Sequence, residues 1–193
     1  MSRALVLYAH PCSDSFNAAV YEVVLQTLAD RGWQIDSCDL NAEGFSPVLT
    51  EQERHGYHEE PANIQPVNDY VERLRAADTL IIVYPVWNFG FPAILKGFFD
   101  RVFLPGVSFH LENGCIRPGL TNIRTLAACC TYGGNRFRAM LNADPPRKCF
   151  TRAIWYACGR PKTRYIALYD MNNNNQEQRQ AHLHRVRLEM QKL

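Results

Sequence analysis

A chain of 193 residues, 47% hydrophobic and 21% charged, has the balance of an ordinary globular protein, long enough for one filled core and short for two. A formal charge of +2 is too small for a nucleic-acid surface, although Arg is locally rich in the last third, and no apolar run reaches the ~18 residues of a membrane span. Seven cysteines, an odd number without Cys-x-x-Cys spacing, argue against a disulfide framework or a zinc site; with no signal-peptide pattern after Met-Ser-Arg, a cytoplasmic location is expected.

Residues 4–9 (ALVLYA) read as a strand buried on both faces. After a turn at His10 to Asp14, Val20, Val24 and Leu28 recur at helical spacing, and Gly32 stands where that helix ends. Residues 33–40 (WQIDSCDL) are a weaker, more polar strand suited to an edge. Residues 41–62 carry Gly44, Pro47, Gly56 and Pro61 and read as a long loop. A helix is expected over 66–76, the strongest strand over 79–85 and a helix from Pro92 to Phe103. Residues 123–131 give a fourth strand, followed by Gly133-Gly134, a helical stretch and a second one over 147–158. Residues 163–169 give a fifth strand, and the four Asn at 172–175 cap a last helix striped by Leu183, Val186, Met190 and Leu193.

Five strands alternating with helices predict one α/β domain, 1–193, built on an open parallel sheet of order 2-1-3-4-5. Ligands bind such a sheet beyond the carboxyl ends of its strands, which selects three loops. In the first, AHPCSDSFN, Ser13, Asp14 or Ser15 can cap a helix whose free amides make an anion site, and it is neither GxGxxG nor a Walker loop. In the second, YPVWNFGFP, Trp87 and Phe89 can wall a flat partner while amides beside Gly90 approach it. In the third, Thr131-Tyr132-Gly133-Gly134 offers hydroxyls and exposed backbone. A capped helix, a packed strand end and a glycine turn would explain each loop singly. Together they describe a site for a planar ring carrying a phosphate.

These loops resemble the NAD(P)H:quinone oxidoreductase family of flavodoxin-like flavoproteins. AHPCSDSFN is similar to the family's flavin-phosphate motif, RGWQIDSCDL to its second strand, FGFPAILKGFFDRVF (89–103) to its most recognisable segment and TYGG (131–134) to its TxGG loop; the resemblance covers at least residues 4–137. It implies a flavodoxin-like three-layer sandwich. It also implies hydride transfer from NADH or NADPH through a flavin, FAD before FMN, to a quinone-like acceptor, in a homodimer. Carried over, His10, Ser15, Phe16 and Asn17 hold the flavin phosphate and ribityl groups. Pro85, Val86, Trp87, Asn88 and Phe89 line the isoalloxazine, and Thr131, Tyr132, Gly133 and Gly134 meet its polar edge. Two departures stand out: Asn88 replaces an aromatic found in many members, and NRFRAMLNADPP (135–146) lacks the Tyr and His that assist hydride transfer in well-known ones. Tyr132 is the candidate donor to the acceptor. The aromatics Trp87, Phe89, Phe91, Phe98, Phe99 and Phe103 are expected to form an apolar rim that a second copy covers.

Other residues read more plainly. His55, His58 and Glu59 have metal-compatible spacing if residues 51–59 are helical, but no third orienting ligand is evident, and no metal is expected. His182 and His184 read as surface residues, Cys129 and Cys130 as core residues facing opposite ways. Arg160, Lys162 and Arg164 read as a solvated loop rather than a contact for a nicotinamide phosphate. Outside enzymes, an electron carrier or a redox-sensing subunit fits the same fold; carriers tend to be acidic, whereas this chain has a pI near 8.2.

Overall fold

The computed structural model describes residues 2–193. Its first strand, β1 (Arg3–Tyr8), is buried at five of six positions because it lies between two others. The chain then rises into α1 (Phe16–Asp30), which buries Val20, Tyr21, Val24, Thr27 and Leu28. Gly32, at φ +71, turns it into β2 (Gln34–Asp39), the half-exposed edge strand. The 41–62 segment is less irregular than its glycines and prolines suggest. Thr50 and Glu53 form a reciprocal capping box that starts α2 (Glu51–His55), and Arg101 pins Glu53 from across the domain at 2.9 Å. A 3-10 turn (Ala62–Val67) precedes α3 (Asn68–Ala76), so the regular helix begins two residues later than its apolar spacing implies.

The central strand β3 (Thr79–Val86) is buried at every position, as a strand covered on both faces must be. Then come α4 (Ala93–Val102), a hairpin of β4 (Phe109–Glu112) and β5 (Cys115–Pro118), and β6 (Thr125–Tyr132). Short helices α5 (Arg136–Leu141) and α6 (Pro145–Lys148) run through a π-helical turn (Cys149–Ile154) into α7 (Trp155–Ala157). The last strand, β7 (Lys162–Leu168), and α8 (Gln176–Gln191), capped by Asn175, complete the chain.

The five long strands form one all-parallel sheet of order β2-β1-β3-β6-β7; with the separate hairpin set aside, this is the expected 2-1-3-4-5 order. Period-2 alternation splits the core between its faces. Leu80, Ile82 and Tyr84 join Leu5, Leu74, Leu95 and Phe98 on one side, and Ile81 and Val83 join Val6, Val24 and Val186 on the other. Cys130 and Cys129 divide the same way, as expected. Helices α3 and α4 cover the first face, α1 and α8 the second. These last two run in the same direction, since Phe16 meets His182 at one end and Arg31 donates to the Met190 carbonyl (2.7 Å) at the other.

That packing corrects one expectation. His182 is 5% exposed, wedged between α1 and α8, and only His184 is a surface residue. A second correction concerns the aromatics. Phe98 is fully buried, and Phe91, Phe99 and Phe103 are half-buried in a chain of edge-on contacts 5.1–6.1 Å apart. Of the six, Trp87 alone is exposed, so they are mostly core rather than an open rim. Among the described residues no helix is long and apolar enough to cross a membrane.

Candidate active site

The carboxyl ends of β1, β3 and β6 lie side by side, with Pro85 opposite Thr131 and Val86 opposite Tyr132. This is where the chain crosses from building one half of the sheet to building the other. The loop after β1 folds around the start of α1. Ser15 is the cap among the three candidates, accepting from the Ala18 amide at 3.1 Å. The amides of Phe16 and Asn17, in the first turn, have no intrahelical partner and leave positive charge at the helix start. The Phe16 side chain itself turns away, packing on the second core and His182, so only its backbone serves this loop. His10 accepts from the Cys12 amide through Nδ1 (3.0 Å) and packs edge-on against Trp87 at 5.6 Å. Partial burial lowers its pKa, which favours the neutral ring.

Asn17 is 4% exposed and ties this loop to the sheet: its Nδ2 donates to Thr131 Oγ1 at 2.8 Å. Its Oδ1 is buried with no partner. A buried acceptor without a donor costs about 1–3 kcal/mol, so such an atom is a position where a ligand's hydroxyl or amide is rewarded.

After β3 the chain reverses within four residues. The Trp87 and Gly90 backbones bond each other, N to O at 3.2 and 2.8 Å, and Asn88 and Phe89 both adopt positive φ, +47 and +57. This is the double left-handed turn that Asn tolerates and a bulky aromatic resists. The turn uses the amide of Gly90 itself rather than those beside it. The amides of Asn88 and Phe89 instead make no hydrogen bond among the described residues. Together with Val86, Trp87, Tyr132, Gly133, Gly134 and Asn172, Asn88 and Phe89 line an open cleft of about 490 Å³, within the usual range for a small-ligand site. A second cleft of about 610 Å³ lies beside the first loop, between His10, Ser13, Ser15, Tyr21 and Asp39. Pro85 and Thr131 sit one residue inside the strands, behind these walls.

Tyr132 forms part of the cleft wall through its ring, which stacks on Tyr169 at 4.5 Å. Its hydroxyl donates to Asp144 Oδ1 (2.7 Å) and bonds the Tyr165 hydroxyl (2.6 Å), and Tyr165 in turn meets Tyr84. Burial, then the neighbouring Cys130, pushes the Tyr132 hydroxyl far above its ordinary range, so it stays a neutral donor. Its expected role as donor to an acceptor is therefore corrected: the hydroxyl is committed to Asp144, away from the cleft.

The model of the flavodoxin-like fold family matches residues 2–193. The chain belongs to that family. Among flavodoxin-like relatives, an uncharacterized NAD(P)H oxidoreductase of Haemophilus influenzae is 29% identical over 182 residues, covering 92% of this chain and 88% of that one. NAD(P)H dehydrogenase [quinone] 1 of Rattus norvegicus is 31% identical over 147 residues, and the match spans 68% of this chain but only 54% of the rat protein. Of solved structures, NAD(P)H:quinone oxidoreductase from Methanothermobacter marburgensis superposes with a TM-score of 0.84 at 25% identity, covering 98% of each chain. Smu.1420 from Streptococcus mutans UA159 gives 0.86 at 28% identity, covering 99% of this chain and 100% of that one.

In this flavodoxin-like frame, two site residues escaped the sequence reading. Asn172, after β7, lies over Gly133, where a Cβ would come within 3.3 Å of its side-chain nitrogen. Asp39, at the carboxyl end of β2, borders the second cleft and accepts from the Asn41 and Ala42 amides. The Asn run and the strand-final Asp were the available signals. The set-aside residues stay apart. Helix α2 stops at His55, which pairs with Glu51 at 3.5 Å, leaving His58 and Glu59 off the helix. Lys162 and Arg164 lie at the amino end of β7, paired with β6 from Thr125 onward, the opposite side of the sheet from the clefts.

Proposed function

We propose that this chain is a flavin-dependent NAD(P)H oxidoreductase, passing hydride from NADH or NADPH to a quinone or similar acceptor. The observation that carries the reading is the orphaned, buried Oδ1 of Asn17, in the first turn of α1 and tied through its Nδ2 to Thr131 at the end of β6. An anion site, a buried acceptor and a flat-walled cleft at one rim of the sheet match a phosphate, a hydroxylated chain and a planar ring. The names of the rat, Haemophilus and archaeal relatives support the same chemistry.

In this reading the Phe16 and Asn17 amides with Ser15 and His10 hold the phosphate, and Asn17 Oδ1 takes a ribityl hydroxyl. Val86 through Phe89 line one side of the ring, with Gly133 and Gly134 at its polar edge and Pro85 and Thr131 behind them. A bound flavin supplies reversible two-electron hydride chemistry; the protein binds, orients and shields it. Trp87 and Phe89 leave the outer face of the cleft for one flat partner at a time, so donor and acceptor enter in turn. We favour FAD over FMN because the second cleft continues past the phosphate loop to Asp39 and Asn41, giving room beyond a single phosphate. A homodimer is part of the proposal. With the aromatic rim mostly buried, its support is the hairpin, where the cross-strand pair Leu111 and Ile116 is 64% and 55% exposed. Chromatography of the flavin released by denaturation tests the cofactor: FAD is expected, FMN alone reverses the choice, and a reconstituted protein that takes up neither ends the reading.

A further inference from the structure

Four cations gather in another cleft, next to the proposed ring site. Arg136 of α5, Arg147 and Lys148 of α6 and Arg152 of the π-helical turn line a cavity of about 300 Å³. Among the described residues none of the four joins an ion pair, although Arg73 and Arg101 elsewhere are each held by carboxylates. The one carboxylate in the cleft, Asp144, already accepts the Tyr132 hydroxyl. Four like charges around one concavity, with little to neutralise them, raise the local concentration of anions. The cleft is also joined to the rim: its wall residue Tyr169 stacks on Tyr132, which lines the ring site, and α5 begins two residues after Gly134.

We propose that this cleft is an anion subsite that takes a phosphate group of the dinucleotide whose nicotinamide enters the rim. The inference rests on the oxidoreductase reading above. It adds where the donor's charge is held, since the α1 amides are already assigned to the flavin phosphate. The volume suits a phosphate and its immediate linkage rather than a whole dinucleotide.

The test uses Lys148→Gln/Arg152→Gln, which spares Arg147, whose guanidinium packs over the Tyr165 ring at 5.4 Å. Inorganic pyrophosphate is titrated calorimetrically into the purified protein at fixed ionic strength. Binding is expected, and about tenfold or more weaker in the double variant with its circular dichroism unchanged. In turnover, KM for NADH or NADPH is expected to rise about tenfold at unchanged kcat, while dihydronicotinamide riboside, which has no phosphate, is unaffected. Pyrophosphate binding that ignores the substitutions, or an equal KM rise with the riboside, overturns the subsite. So does variant-sensitive pelleting with phosphatidylglycerol–phosphatidylcholine vesicles without saturable pyrophosphate binding, which assigns the cations to a lipid headgroup. Failure of the oxidoreductase reading is distinguishable. In that case pyrophosphate binds through these cations but neither nicotinamide cofactor is oxidised, and the donor assignment falls with it. When the subsite alone fails, turnover persists and pyrophosphate either does not bind or binds regardless of the substitutions.

Discussion

Asn17 and Phe89, both at the candidate site, bear on the stability of the fold in opposite directions. Asn17→Ala removes the bond to Thr131 and leaves that hydroxyl without its donor, a loss of about 1–3 kcal/mol. It also removes the orphaned oxygen assigned to the ribityl chain, so flavin affinity is expected to fall as well. Ser15→Ala loses a helix cap worth about 1 kcal/mol. Melting curves with and without flavin separate the roles; lower melting temperatures at unchanged flavin affinity would leave both residues as purely structural. Phe89 behaves oppositely, since its φ of +57 costs an aromatic residue about 1–2 kcal/mol that glycine does not pay. Phe89→Gly is expected to raise stability or leave it unchanged while lowering turnover; a fall in stability would show that packing of the ring outweighs the strain. At this scale the sequence shows which residue types meet at the rim but not where their atoms point. The Tyr132 hydroxyl is decided by Asp144 and Tyr165, 12 and 33 residues away, and no local pattern encodes that.

Between elements, the tightest joints are where the sequence was hardest to read. His182 and His184, two residues apart, point to different sides of a helix and so read as surface residues, yet the parallel packing of α1 and α8 buries His182. Burial, reinforced by Arg185, lowers its pKa to about 4, against 6.5 in the unfolded chain. Between these values the unfolded state binds more protons, so the stability is fully present above about pH 6.5 and is lost as pH falls toward 4. The slope is expected to amount to at most about 3 kcal/mol and to flatten in His182→Leu, measured by denaturant unfolding from pH 7 to pH 4. An unchanged slope would show that other groups set the acid limit. Gly97 is a second joint: a Cβ there would overlap the Pro47 carbonyl, because α4 lies flush on the 41–62 segment. Gly97→Ala is expected to destabilise by about 1–3 kcal/mol or more, read as a lower denaturation midpoint; a neutral result would mean that segment yields readily. The β4–β5 hairpin went unread although Asn113-Gly114, both at positive φ, is a strong two-residue turn signal. Its strands are four residues each and mostly exposed, so they lack the alternation that reveals longer ones.

For the molecule as a whole, the alternation of apolar runs with amphipathic stretches was enough to give the sheet order. The same buried runs place the three rim loops together, which is why the lining of the candidate cleft, Asn172 apart, was legible before any geometry. The expected apolar rim was read less well, because Phe98 and its neighbours satisfy one another inside the fold, while the apolar pair Leu111 and Ile116 is exposed on the unread hairpin. Light scattering at micromolar concentration is expected to give a dimer that Leu111→Glu dissociates; a monomer would contradict the proposed homodimer. The central claim meets its most direct check in one anaerobic cuvette. Flavin-loaded protein is mixed with NADH or NADPH while the flavin absorbance is followed, and benzoquinone is then added. Rapid bleaching followed by full recovery is the result expected of an oxidoreductase whose rim serves donor and acceptor in turn. Bound flavin that neither nicotinamide bleaches would contradict it and leave this fold an electron carrier or redox sensor.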